Sequence, residues 1–279
     1  MAQLLGGVLT SHVPAIGRAI HQGLQDDPYW KPFFAGFPPV RQWLAQARPD
    51  VVVVFYNDHG LNFFLDKMPT FSVGAAPAYR NADEGWGIPQ VPAFTGEQDL
   101  SWHLIERLID DEFDITTCQE MLVDHAFTLP MALLWPDQAW PVKVVPVCIN
   151  TVQFPLPTAA RCWKLGQAVG RAIRAWDSAA RVVVLGTGGL SHQLDGERAG
   201  FINKDFDLRF MDSLVSDQPD WATQFSIPQL VEQAGTQGIE LLMWLATRAA
   251  LGERVEEVHR NYHIPISNTA AGLMVLQSV

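Results

Sequence analysis

Val51-Val52-Val53-Val54-Phe55-Tyr56-Asn57-Asp58-His59-Gly60 is the stretch that decides the fold of this chain. Six apolar or aromatic residues run without a break, and four of them are β-branched. A strand of that composition is buried on both faces, as in the middle of an α/β sheet. It stops abruptly on Asn57-Asp58-His59-Gly60. In open α/β sheets ligands sit at the carboxyl ends of strands, so a histidine beside an acid and a turn glycine stands where chemistry is done. The same residues also suit a plain capping turn whose polar groups bond the backbone.

Three further segments repeat the arrangement. Residues 181–186 form a second strongly apolar strand, ending on Thr187-Gly188-Gly189-Leu190-Ser191-His192. Its two glycines allow a tight turn and close backbone approach. His192 is expected at the mouth of a pocket rather than in the core. Residues 3–9 run into Thr10-Ser11-His12-Val13-Pro14, where Pro14 keeps Val13 extended. Residues 121–124 lead to His125, followed by a buried helix over 128–134 with Pro130 in its first turn. Residues 69–76, 142–149 and 271–276 read as strands.

Helices are predicted over 40–47, around Leu100, Leu104, Ile105, Leu108 and Ile109, from the cap Thr158 to about Trp176, and over 203–215. Another runs from near Gln237 through Ala246, with Glu240 in its first turn, where the helix dipole favours an anion. Residues 26–39 form an irregular aromatic segment. Residues 77–97 are rich in glycine and proline and read as a long loop, either a lid or partner surface or a packed excursion. No repeat or linker divides the chain. The expectation is one α/β domain over residues 1–279, with a mixed or parallel central sheet flanked by helices on both faces.

The formal charge of −11 disfavours nucleic acid and anionic membranes as partners. No apolar run approaches the ~20 residues that span a bilayer. Cys118, Cys148 and Cys162 are an odd number without a CxxC pair, which argues against a disulfide framework and a structural zinc site. The start, Met1-Ala2-Gln3-Leu4-Leu5, has no basic region before its apolar residues, so no signal peptide is expected and a cytoplasmic location fits.

His12, His59 and Glu240 together make the two-histidine, one-carboxylate set of non-haem Fe(II) oxygenases, which leaves open positions on one face of the metal. The same ligands suit catalytic zinc with a bound water. Their scattered spacing leaves both open. His192 and His125 are surplus to the set, and a neutral imidazole can take and return a proton. His125 also reads as a packed histidine, and Glu240 as a stabiliser of its helix start. His21, His103, His259 and His263 read as structural. A zinc-dependent hydrolase and a non-enzymatic binding member of the same fold stand as alternative functions.

Seven segments carry a resemblance that runs nearly end to end. They are Ser11-His12-Val13-Pro14-Ala15, Tyr56-Asn57-Asp58-His59, Asp83-Glu84-Gly85-Trp86-Gly87, Val123-Asp124-His125, Gly186-Thr187-Gly188-Gly189-Leu190-Ser191-His192-Gln193, Gly238-Ile239-Glu240-Leu241 and Tyr262-His263-Ile264-Pro265-Ile266-Ser267-Asn268-Thr269-Ala270. In this order the chain resembles the class III extradiol dioxygenases, and among them the catalytic β subunits of the protocatechuate 4,5-cleaving enzymes. The resemblance implies His12, His59 and Glu240 as Fe(2+) ligands, His192 as the acid/base residue, and His125 as a pocket histidine. It implies Ser267 and Asn268 as substrate-side groups. The implied reaction opens a catechol-type aromatic acid with O2 beside its two hydroxyls. With protocatechuate the product is 4-carboxy-2-hydroxymuconate semialdehyde. In the resembled enzymes a small α subunit covers the pocket, whereas some gallate-cleaving relatives carry that part fused. This chain ends at Val279 just after its last strand, so a hetero-oligomer with a separate small subunit is expected, docking on residues 77–97 and the aromatic segment 29–37.

Overall fold

The computed structural model describes residues 1–85, 88 and 90–279, and of Pro265 only the backbone. Strand β1 (Gln3–Thr10) passes through Ser11-His12-Val13 into α1 (Pro14–His21), whose first residue is a proline. Proline suits that position because its φ is preset and the missing N–H has no partner there. Helices α2 (Lys31–Phe34) and α3 (Phe37–Ala47) order much of the aromatic segment. Helix α3 starts before residue 40 because Pro38 and Pro39 fall in its first turn, where backbone N–H groups are unpaired anyway. Strands β2 (Val51–Tyr56), β3 (Phe71–Gly74), β4 (Ala78–Asn81) and β5 (Phe94–Thr95) precede α4 (Gln98–Asp110). Two short strands, β6 (Thr116–Cys118) and β7 (Leu122–Val123), lead into α5 (His125–Leu134). Strand β8 (Lys143–Ile149), helix α6 (Ala159–Ala175), strand β9 (Arg181–Thr187) and helices α7 (Lys204–Ser213), α8 (Ile227–Ala234) and α9 (Leu241–Ala250) follow. The chain closes on the hairpin β10 (Val255–Ile266) and β11 (Thr269–Ser278).

The main sheet has eight strands in the order β10-β11-β1-β9-β2-β8-β3-β6. Its middle, β1-β9-β2-β8, is parallel, and β11 and β3 flank it antiparallel. The quoted stretch therefore lies where its composition put it, with every residue of β2 buried. Val51, Val53 and Phe55 pack on one face with Leu104 of α4, Val169 of α6 and Trp244 of α9. Val52, Val54 and Tyr56 pack on the other with Ile16 of α1, Leu44 of α3 and Phe127 of α5. Burying such side chains stabilises the fold by roughly 1.5–3 kcal/mol each. A mixed sheet covered by helices on both faces is as expected.

Some expectations need correction. Residues 77–97 are not one long loop: β4 and β5 join β7 in a three-stranded sheet ordered β5-β4-β7. Of the quoted Asp83–Gly87 segment, Trp86 and Gly87 lie outside the described residues. Helix α5 begins at His125, capped by the Asp124 side chain, so Pro130 sits inside the helix and not in its first turn. Within the expected partner surface at 29–37, Phe33 and Phe37 are buried, whereas Tyr29, Lys31, Pro32 and Ala35 are exposed. Helices α1 and α8 and strand β10 had no clear pattern. The start of α8 carries a reciprocal Ser226/Gln229 cap, and β10 is a charged edge strand with register shifts. Among the described residues no helix is long and apolar enough to cross a membrane.

Candidate metal centre

Parallel strands end on one edge, and here three of them end on histidine-bearing loops. β1 delivers His12, β2 delivers His59 and β9 delivers His192. Helix α5 adds His125 as its first residue. The ring of His59 stacks on that of His125, with centroids 4.2 Å apart and planes inclined 25°. The His12 ring stands edge-on to both, at 5.3 Å from His59 and 5.4 Å from His125. One nitrogen from each of His12, His59 and His125 lies within 4.8 Å of the others. Glu240 reaches the same place from a 3-10 turn (Gly238–Glu240) just ahead of α9. Its Oε1 is 3.3 Å from His12 Nε2 and 3.4 Å from His59 Nε2.

Glu240 stands at the N-cap position of α9, the helix start where the dipole favours an anion, but its side chain makes no capping hydrogen bond there. Its Oε2 instead accepts the Gly189 N–H at 2.7 Å. That contact explains the Gly188-Gly189 pair. Both have positive φ, and a Cβ on Gly188 would lie 2.7 Å from the Glu240 Cβ. Only glycine lets the strand-end turn press this closely on the carboxylate.

The far side of each ring is tied down. His59 Nδ1 and the His59 backbone nitrogen both meet Asp124 Oδ2. His125 Nδ1 and its backbone nitrogen meet the two oxygens of Glu84. His12 Nδ1 lies 3.2 Å from Thr187 Oγ1, and His192 Nδ1 lies 2.8 Å from the Leu190 carbonyl. A carbonyl or an ionised carboxylate can only accept, so His59, His125 and His192 carry a proton on Nδ1. In the neutral ring Nε2 then keeps its lone pair. Carboxylate- or carbonyl-tied histidines of this kind are the usual form of metal ligands.

Without a cation, these groups hold one another's charge. Asp124 is fully enclosed, which would raise its pKa, but His59 above all holds it down to about 2. Burial likewise works against Glu240, yet His12, then His59 and His192, keep its carboxyl well below the usual range. For His59, burial is outweighed by Asp124 and Glu240, which hold the imidazole pKa well above its ordinary value. His125 has its pKa lowered by burial and by the neighbouring His59. With His59 neutral, its Nε2 lone pair and the carboxylate Oε1 would face each other across 3.4 Å. A divalent cation among His12, His59 and Glu240, with His125 beside them, relieves that repulsion, so the donor set fits a metal. Asn57 adds a buried Oδ1 with no partner among the described residues, on an amide whose Nδ2 is 3.3 Å from both Glu240 Oε1 and His59 Nε2.

His192 is buried, at 7 % exposure, and not at an open mouth. Its backbone N–H donates to Ala234, and it bridges Thr269 at the start of β11. Ser267 and Asn268 form the exposed turn just before Thr269. Ser267 holds a left-handed φ of 56°, and its N–H donates to Tyr29 Oη at 2.8 Å. His103 bonds the Ala172 carbonyl between α4 and α6, as a structural histidine should. Sequence reasoning missed Glu84, Asp124, Asn57 and Asp207 as parts of the site's frame. Asp124 had a legible signal, a helix-capping residue directly before His125. Asp207 had none: it is buried in α7, where it accepts the Ser191 N–H and hydroxyl and the Tyr262 hydroxyl.

Residues 6–273 match the family described as the catalytic LigB subunit of aromatic ring-opening dioxygenase. The chain is 40% identical over 195 residues to a gallate dioxygenase of Pseudomonas putida, which covers 70% of this chain and 57% of that protein. The chain thus spans little more than half the length of that relative. It is 29% identical to a 2,3-dihydroxyphenylpropionate/2,3-dihydroxicinnamic acid 1,2-dioxygenase of Photorhabdus laumondii, over 97% of this chain and 96% of that one. A solved structure of an uncharacterized Escherichia coli K12 protein superposes with a TM-score of 0.57 at 15% identity, covering 86% of this chain and 91% of that one. That likeness bears on the fold alone.

Proposed function

The chain belongs to the LigB family of aromatic ring-opening dioxygenases, and from that membership we propose that residues 1–279 act as one catalytic domain for Fe(II)-dependent extradiol cleavage of a catechol-type aromatic acid. The observation that carries the reading is the approach of His12 Nε2 and His59 Nε2 to Glu240 Oε1, at 3.3 and 3.4 Å, beside two further histidines with their Nδ1 protons tied away. In this reading His12, His59 and Glu240 hold the iron. When bound, the iron supplies a site for both ring oxygens of the diol and for O2. His192 faces the reaction with an unprotonated Nε2, suited to take a hydroxyl proton from the bound diol. His125, with its Nδ1 proton tied to Glu84, would act as a pocket histidine whose bare Nε2 accepts a hydrogen bond from a substrate hydroxyl. Ser267 and Asn268 lie on the turn beside His192 and serve the substrate side.

The relatives named above act on gallate and on 2,3-dihydroxyphenylpropionate, both aromatic acids with adjacent hydroxyls. We take protocatechuate as the substrate, cleaved at the 4,5 bond to 4-carboxy-2-hydroxymuconate semialdehyde. A cytoplasmic location and a small helical α subunit complete the proposal. Exposed Leu65 and Phe154 line a cavity of about 590 Å³ beyond the carboxyl ends of β2 and β8, with exposed Phe64 and Val152 close by in the chain, and offer that subunit apolar contacts. The test is oxygen uptake by anaerobically purified, Fe(II)-loaded protein on protocatechuate, gallate and related catechols. Uptake with a ring-opened product supports the reading. Iron-independent hydrolysis, or activity with zinc alone, would replace it.

A further inference from the structure

Strands β4 and β7 run parallel, with Asn81 opposite Val123. Parallel neighbours leave a sheet side by side. Three residues beyond Asn81 and two beyond Val123, the chain sets Glu84 against His125. Both Glu84 oxygens are committed, one to the His125 backbone N–H and one to ring Nδ1. The carboxylate is buried, with the Glu84 side chain 6% exposed. The segment that carries it is tied back at its base. Asn81 Nδ2 donates to the Val91 carbonyl and Val91 N–H donates to Asn81 Oδ1, each at 2.9 Å. Ala82 N–H donates to the Val123 carbonyl, and Gln90 Nε2 donates to the Ala82 carbonyl. The small sheet is thus a frame that presents one acid to one histidine. It also presents Asp124, the residue between Val123 and His125, to His59.

We propose that Glu84 is a positioning residue that fixes His125 in a single tautomer, with the proton on Nδ1 and the lone pair on Nε2. An imidazole free to exchange tautomers offers a reacting group a donor in some molecules and an acceptor in others. A buried carboxylate, which only accepts, removes that choice. Helix α5 does not depend on Glu84 alone for its start, because Asp124 also accepts the Ala126 N–H. The stacking of His125 on His59 at 4.2 Å means that a reoriented His125 would also disturb a proposed ligand. The kinetic part of this inference rests on the ring-cleavage reading, and the tautomer part does not.

The experiment compares wild type with Glu84→Gln, which keeps the shape and removes the obligatory acceptor. Imidazole 15N shifts in the metal-free protein report the tautomer. Wild-type His125 is expected with Nδ1 protonated and Nε2 bare, and Glu84→Gln with a mixture. In the iron-loaded enzyme, kcat should fall about 10–100-fold, as for other groups that orient a functional histidine, with KM and iron content nearly unchanged. Glu84→Asp, which keeps the charge on a shorter arm, should recover part of kcat. A wild-type His125 carrying its proton on Nε2 overturns the proposal whether or not the variants fold. So does a Glu84→Gln protein with an unaltered tautomer, or one that loses only thermal stability and keeps kcat. Wild-type protein inactive on every catechol would count against the ring-cleavage reading, while the tautomer comparison would still decide the role of Glu84.

Discussion

Asp124 Oδ2 stands 2.8 Å from both the ring Nδ1 and the backbone nitrogen of His59. One oxygen thus fixes the position of the loop and the face its histidine shows. The other oxygen accepts the Ala126 N–H and caps α5. Asp124→Ala is expected to weaken iron binding about 10–100-fold through the loosened His59. It should also lower stability by about 1 kcal/mol or more through the lost cap. Iron titration and urea denaturation measure the two effects. Unchanged iron affinity would show that Asp124 serves the helix alone.

Glu240→Ala should strip the metal and leave the fold. The histidines come from loops that a packed core already holds, so the metal is not needed to build them. Its binding should still stabilise the native state, by about 2.7 kcal/mol at a hundredfold excess over Kd. Chelation is therefore expected to lower the Tm of wild type and to leave that of Glu240→Ala unmoved. A variant that keeps one iron per chain would take Glu240 out of the ligand set.

His192→Phe should keep its iron and still bind catechol, yet lose about 10²–10⁴-fold in ring-cleavage rate, the usual contribution of a positioned acid–base group. Metal analysis and single-turnover oxygen uptake separate the outcomes. Loss of iron would make His192 a ligand. Retained turnover would pass the proton role to His125.

Asp207 predicts a pH effect on stability. Burial pushes its pKa up to about 6, against the hydrogen bonds from Ser191 and Tyr262 that lower it. A carboxyl whose folded pKa is raised favours the native state below its ordinary value of 3.8, and that advantage is lost as pH rises through 6. That rise in pKa corresponds to roughly 3 kcal/mol. Asp207→Asn should not show this loss. Its stability relative to wild type should therefore improve between about pH 4 and pH 7, read from urea midpoints across that range. A constant difference would mean that Asp207 ionises as readily in the native protein as in the unfolded chain.

Much of the fold was legible because its signals are local. Unbroken apolar runs marked β2 and β9, a Thr158 cap and helical spacing marked α6, and the histidines after β1, β2 and β9 marked the edge where the site lies. Other elements carried weak local signals. Strand β10 is a charged edge with register shifts, and β4, β5 and β7 are too short to show a period. Helix α5 was misplaced because Pro130 suggests a helix start near residue 128, whereas the Asp124 cap sets it at His125, three residues earlier.

By itself the sequence determined which strands are buried and which residues could do chemistry, since burial pattern and residue type are properties of short stretches. Only the tertiary structure decided which of those residues meet. Glu240 could be read as a ligand or as a dipole stabiliser, and the fold brings its Oε1 to His12 and His59 and its Oε2 to the Gly189 N–H after β9. Glu84 looked like loop until the β4–β7 pairing set it on His125. Both outcomes depend on strand order and register across residues far apart in the chain, and no local pattern encodes the pairing of strands that distant.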